Sequence, residues 1–190
     1  MKTATALIVI DAQESFKQRP YWADGSAADY AAYMAALQAL VDAAAASKTP
    51  IVQIFHEQLD GGAFDPANGF VHTLSELRIA PDVVFHKTRH SAFVGTGLDV
   101  WLRTRGIGRL VISGIRTEQC CETTTRYASD AGFVVDYALD ATLTFPMIAE
   151  DGSVSDAAAI KRHTRLVLEG RFASFPTQAS LVLSVASLGA

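Results

Sequence analysis

Cysteine is scarce in this 190-residue chain: there are two, and they are neighbours, Cys120 and Cys121. Joining adjacent cysteines in a disulfide strains the peptide between them, so a disulfide framework is not available and a reducing compartment, the cytoplasm, is expected. Basic charge is also sparse. The 16 Lys and Arg against 20 Asp and Glu leave a net charge of −4, and no dense Lys/Arg stripe overrules that figure. This argues against a nucleic-acid partner or an anionic membrane surface. No apolar run reaches membrane-spanning length, and the one within residues 1–10 is too short for a signal peptide and lacks a cleavage site. A repeat period and a low-complexity linker are missing too, so residues 1–190 are expected to form a single domain. The partner expected is a small molecule.

What is present is a hydrophobic, alanine-rich chain, 49% apolar, in which buried strand patterns alternate with helical ones. Residues 5–10, 51–55, 83–85, 109–113, 133–137 and 172–175 read as strands. The helical patterns cover 27–47, 97–105, 118–131, 156–169 and 177–187. In the first helix Tyr30, Met34, Leu37, Leu40 and Val41 recur at helical spacing, and residues 57–80 form a long surface excursion. This alternation predicts a three-layer α/β/α domain with a mainly parallel sheet.

Open parallel sheets place chemistry beyond the carboxyl ends of their strands. Three polar residues stand at such ends: Asp11 after the first strand, Lys87 after the third, and Cys120 after the fourth. Asp11 reads equally well as a turn carboxylate, and Lys87 as a solvated charge. With Thr117 as N-cap, Cys120 falls at the third helical position, where unpaired N–H groups and the helix dipole stabilise a thiolate. The plain alternative is that both cysteines are small buried apolar residues. Cys121 lies a helical step of about 100° away and is assigned to packing. His56 ends the second strand, where a hydrogen-bonded structural histidine competes with a ligand role.

The motifs become specific together. Residues 11–16 (DAQESF), Lys87 followed by Ser91-Ala92-Phe93 and residues 95–98 (GTGL), residues 114–120 (GIRTEQC), Thr124, residues 132–135 (GFVV) and Asp140-Ala141 lie in order along the chain. In this it resembles the isochorismatase-like cysteine hydrolases, which include nicotinamidases, N-carbamoylsarcosine amidase and ureidoacrylate-type amidases. The resemblance implies a six-stranded, Rossmann-type sheet, an Asp11–Lys87–Cys120 catalytic triad and hydrolysis of a small-molecule amide-like C–N bond through a thioester. It also implies a cis peptide before Arg116, an oxyanion hole from the backbone N–H groups of Arg116 and Cys120, and a homo-oligomer.

Relatives that cleave the vinyl ether of isochorismate lack a cysteine at the position of Cys120, which favours amide hydrolysis over the vinyl-ether alternative. A binding module or thiol redox sensor would need neither Asp11 nor Lys87. Nicotinamidases add a metal held by an Asp-x-His pair, and here that place reads Ile54-Phe55-His56. Without the aspartate, and with His72 as the only substitute, no metal and no other cofactor is expected. The wall that selects substrate is expected from Phe16, Trp22, His56, Phe93 and Gln119. The Arg116 side chain is open to either a substrate carboxylate or a salt bridge within the protein.

Overall fold

A computed structural model describes residues 4–20, 22 and 27–187 of the chain. Strands β1 (Ala4–Ile10), β2 (Ile51–His56), β3 (Val83–Lys87), β4 (Ile107–Ile115) and β5 (Val134–Leu143) form one parallel sheet in the order β3-β2-β1-β4-β5. The α-helices that lie wholly among the described residues are α1 (Ala27–Ser47), α2 (Leu98–Thr104), α3 (Glu122–Asp130), α4 (Ala157–Leu168) and α5 (Gln178–Ala186). A short antiparallel pair, β6 (Met147–Ile148) and β7 (Val154–Ser155), follows β5. None of the described helices is long and apolar enough to cross a membrane.

The layering follows from the period-two alternation of strand side chains. Leu7 and Val9 of β1 enter one core with Leu37, Leu40 and Val41 of α1 and Leu181 and Val185 of α5. Ala6, Ile8 and Ile10 enter the opposite core with Leu98 and Leu102 of α2, Ala128 of α3 and Leu168 of α4. Each fully buried Leu, Ile or Val among these contributes roughly 1.5–3 kcal/mol, and β1, apolar on both faces, is the plane on which the two cores meet.

Two expectations need correction. The sheet has five parallel strands, not six, because the segment at 172–175 joins it only through Ser174. There the Tyr137 N–H donates to the Ser174 carbonyl at 2.8 Å and the Ser174 N–H to the Val135 carbonyl at 2.9 Å, a single bridge to Asp136. Pro176, which has no N–H to give a ladder, follows directly. The helix expected over 118–131 is also divided, since a π-turn spans Thr117–Cys121 and the α-helix begins only at Glu122. Thr117 is not its cap: its hydroxyl donates to Thr142 Oγ1 at 2.8 Å and its carbonyl accepts from the Tyr137 hydroxyl at 2.7 Å. Asp156 and Thr177 cap α4 and α5, their side chains accepting from the backbone of Ala159 and Ser180 respectively.

Gly114 shows how tightly β1 and β4 are joined. It pairs with Ile10 at φ +124°, and a Cβ there would stand 1.9 Å from the Ile10 carbonyl oxygen. Only glycine allows that approach, one residue before Asp11. Gly114→Ala is therefore expected to destabilise the fold by more than about 2 kcal/mol, read as a lowered urea midpoint; an unchanged midpoint would contradict the close packing.

Candidate active site

The strand order reverses direction at β1, so the crevice lies where β1 and β4 part. Asp11 stands at the end of β1, where the chain turns into the left-handed region at φ +50°, tolerated by aspartate. Its N–H donates to the Ile54 carbonyl at 2.9 Å, which ties the turn to β2. Lys87 ends β3 and Cys120 sits in the π-turn after β4. The structure brings all three together: Lys87 Nζ donates to Asp11 Oδ2 at 2.8 Å and to Cys120 Sγ at 3.3 Å. The Asp11 and Lys87 side chains are wholly buried, and Cys120 is 6% exposed. Cys121 is fully buried in the core shared by α2, α3 and α4.

Electrostatics follow from this burial. Loss of water raises the Asp11 pKa above the ordinary carboxylate value, with Lys87 opposing the rise. Burial alone would weaken the Lys87 ammonium, yet Asp11 and Cys120 outweigh it and hold the lysine pKa up. The Cys120 thiol is pushed well up by burial and then by Asp11, while Lys87 acts in the other direction. The resting cysteine is thus a thiol rather than the dipole-stabilised thiolate expected from its helical position. It needs a base.

Two histidines complete the group. His56 Nδ1 lies 3.2 Å from Lys87 Nζ, and His90 Nδ1 lies 3.7 Å from Cys120 Sγ. The two rings lie almost parallel, 9° apart with centroids separated by 6.5 Å. Burial, Lys87 and His90, in that order, lower the His56 pKa to about 4. A neutral His56 therefore accepts from the ammonium at Nδ1 and carries its own proton at Nε2. Gln13, fully buried, fixes the backbone of this residue from both sides: its Oε1 accepts from the His56 N–H at 2.8 Å and its Nε2 donates to the His56 carbonyl at 3.0 Å.

The proposed wall residues divide. Phe16 is a core residue, 6% exposed, packed edge-on against Phe64 at 5.0 Å, and Phe64 in turn meets His56 at 5.7 Å. Trp22 packs on Phe145 at 5.7 Å and on Tyr30 at 4.8 Å. Phe93 is likewise a packing residue, 5% exposed and held by Tyr127 at 4.9 Å and Phe133 at 5.7 Å. Gln119 is half-buried, one residue before the thiol. The Arg116 side chain is engaged within the protein, since Nε pairs with Glu118 Oε1 at 3.0 Å and the guanidinium lies 5.5 Å from the centre of the Phe145 ring. The peptide between Ile115 and Arg116 is cis.

Gln13, Phe64, His90 and Phe145 received no role from the sequence. Gln13 and His90 stand inside the motifs around Asp11 and Lys87, two and three residues along, and that proximity was the available signal. Phe64 and Phe145 lie in irregular segments with no periodicity to place them. The residues do not fit a divalent metal: Ile54 offers no ligand atom, His56 Nδ1 is taken by Lys87, and His72 is exposed with Nδ1 against the Thr73 carbonyl. Among the described residues no group of three or more His, Cys, Asp or Glu could hold a metal ion.

A model of the isochorismatase domain matches residues 5–164. The chain belongs to the isochorismatase family. Its similarity to the isochorismatase-family protein YrdC of Bacillus subtilis is 33% identity over 120 residues, 63% of this chain and 64% of that one. A second relative, the ureidoacrylate amidohydrolase RutB of Caulobacter vibrioides, is 46% identical over 56 residues, 30% of this chain and 23% of that protein. The matches thus span less than two thirds of these relatives' length. Among solved structures, an isochorismatase from Pseudomonas putida superposes with a TM-score of 0.83 at 29% identity, covering 94% of this chain and 90% of that one.

The lowered pKa of His56 has a consequence for this isochorismatase-family fold. The unfolded chain binds a proton at His56 near pH 6.5 and the native chain only near 4, so native stability is lost as pH falls through that window. The urea midpoint is expected to drop between pH 6.5 and 4, and the drop to be smaller in His56→Gln; the same slope in both proteins would contradict a neutral, lysine-bonded His56.

Proposed function

We propose that this protein hydrolyses a small-molecule amide-like C–N bond through a thioester on Cys120, with Asp11 and Lys87 completing a triad and no metal or organic cofactor. The observation that carries the reading is Lys87 Nζ standing within hydrogen-bond reach of both Asp11 Oδ2 and Cys120 Sγ, at 2.8 and 3.3 Å. The thiol is a poor nucleophile as it rests, so the proton must leave as the C–S bond forms. Asp11 is suited to take it, because a carboxylate with a raised pKa is a stronger base than an ordinary aspartate.

As Sγ bonds to the carbonyl carbon, the Lys87 charge stabilises sulfur while the proton moves to Asp11. The backbone N–H groups of Arg116 and Cys120 receive the oxyanion, a contribution of about 10²–10³ in rate per donor. Collapse of the tetrahedral intermediate breaks the C–N bond, and Asp11 returns its proton to the departing nitrogen. Water then hydrolyses the thioester.

Supporting the amide class is the likeness to RutB, which is named for amide hydrolysis, and the presence of Cys120 where vinyl-ether-cleaving relatives lack one. Trp22, partly buried at the edge of that aromatic cluster, would offer a face to a flat substrate, with His56 Nε2–H as a further donor. Two free cysteines suit residence in the cytoplasm. Leu183, 70% exposed on α5 while Leu181 and Val185 are buried, suits self-association.

A screen of small amides, ureido acids and carbamoyl compounds, followed by intact-mass analysis, tests the reading. Turnover and the covalent adduct are expected to vanish in Cys120→Ser, a loss of at least about 10³-fold, and to persist in Cys121→Ala. Full turnover in Cys120→Ser would overturn it.

A further inference from the structure

A guanidinium drawn partly out of water loses hydration that a carboxylate partner ordinarily replaces. Four arginines among the described residues are half-buried: Arg19, Arg109, Arg116 and Arg126. Three of them have that partner. Arg109 pairs with Asp136 at 2.6 Å, Arg116 with Glu118 at 3.0 Å and Arg126 with Glu122 at 2.9 Å. Arg19 differs. Its guanidinium lies 5.0 Å from the centre of the Phe64 ring, and among the described residues it makes no ion pair or side-chain hydrogen bond. The ring steadies the charge but supplies no carboxylate for its five N–H donors. Acidic residues near it in the chain are already matched, since Glu14 and Glu76 share Lys17 at 3.0 and 2.7 Å.

Resting on the cysteine-hydrolase reading above, we propose that Arg19 determines specificity by pairing with a carboxylate of the substrate, an amide-like compound that carries this acid at the end remote from the scissile bond. A run of side-chain contacts joins the sulfur to this arginine. His90 Nδ1 lies 3.7 Å from Cys120 Sγ, and the His90 and His56 ring centres are 6.5 Å apart. His56 meets Phe64 at 5.7 Å, and Phe64 carries Arg19. A substrate whose carbonyl carbon faces Sγ extends along this wall with its far end toward the guanidinium. There the planar fork of N–H groups matches the two oxygens of a carboxylate.

The other cations of the site are engaged. Lys87 donates to Asp11 and to the thiol, Arg116 is closed off by Glu118, and His56 carries no charge. Arg89 is the rival, but it is exposed, where water satisfies it, and its Nη1 turns back to the Thr88 carbonyl at 3.2 Å. The place of Arg19 in the chain also fits the task. A short 3₁₀ turn, Glu14–Gln18, follows the Asp11 motif and ends on Arg19, whose N–H donates to the Phe16 carbonyl at 3.0 Å. One continuous segment thus sets both the base at the sulfur and the cation at the far end of the wall.

The experiment uses alkylating probes in pairs that differ by one charge: the N-chloroacetyl derivatives of glycine, β-alanine and 4-aminobutyrate, each beside its carboxamide. Intact-mass analysis with peptide mapping gives the rate at which each probe modifies Cys120, referred to its rate with glutathione. At one of these spacer lengths the unaltered protein is expected to favour the acid over its amide by about tenfold or more. In Arg19→Gln that ratio should fall by at least about fivefold, in Arg19→Lys by less, and in Arg89→Gln it should stay. An arginine that only packs on Phe64 would, when replaced, slow acid and amide alike and leave the ratio where it was. That result, a ratio near one at every spacer in the unaltered protein, or a preference that disappears with Arg89 instead would each overturn the assignment. Failure of Cys120 to react with any probe would instead sink the cysteine mechanism, and the assignment with it.

Discussion

The site depends on one ion pair. Asp11 and Lys87 are both without solvent, 2.8 Å apart, at the ends of strands separated by β2. Taking either charge out of water alone is costly, and removing one partner of such a pair leaves the other uncompensated. The surrounding chain is arranged to hold both. Gly114 lets β4 approach the Ile10 carbonyl, Ile54 receives the Asp11 N–H, and Gln13 ties the His56 backbone to the turn after β1. A buried pair of this kind adds little net stability compared with apolar packing. Its presence is better accounted for by what it does to a third group, the sulfur.

That effect is indirect. The pair leaves Cys120 protonated, since burial and the Asp11 charge act on the thiol in one direction and Lys87 only partly offsets them. A protonated, nearly enclosed thiol is protected from adventitious alkylation and oxidation, which proceed through thiolate. In the proposed mechanism reactivity appears only when a substrate carbonyl is in place and the proton can move to Asp11. Cys121, a neighbour in sequence but fully buried among apolar side chains, takes no part.

Much of this was legible in the sequence, for physical reasons that differ by element. The long first helix matches its expected bounds because its apolar spacing is a local signal. The five strands of the parallel sheet are short apolar runs, and their carboxyl ends named Asp11, Lys87 and the region of Cys120. The sixth strand failed because its apolar residues at 172–175 serve side-chain packing, with Phe172 and Phe175 against the second core, rather than a ladder. The π-turn at Thr117–Cys121 could not be read because it is set by tertiary hydrogen bonds, one donated by Thr117 to Thr142 and one accepted from Tyr137, 25 and 20 residues away. Phe93 misled for a similar reason: its ring is claimed by Tyr127 and Phe133 from the α3 region. His90 passed unnoticed because an exposed histidine after a strand carries no local signature, and only the fold brings it to 3.7 Å from Cys120 Sγ.

The account stands on Asp11 and Lys87 being a coupled, desolvated charge pair, and a double-mutant cycle on folding stability measures that coupling directly. Asp11→Asn and Lys87→Met should each lower the unfolding free energy by about 3–5 kcal/mol. The double variant should lose clearly less than the two together, with a coupling of more than about 2 kcal/mol. Losses that simply add would contradict the account.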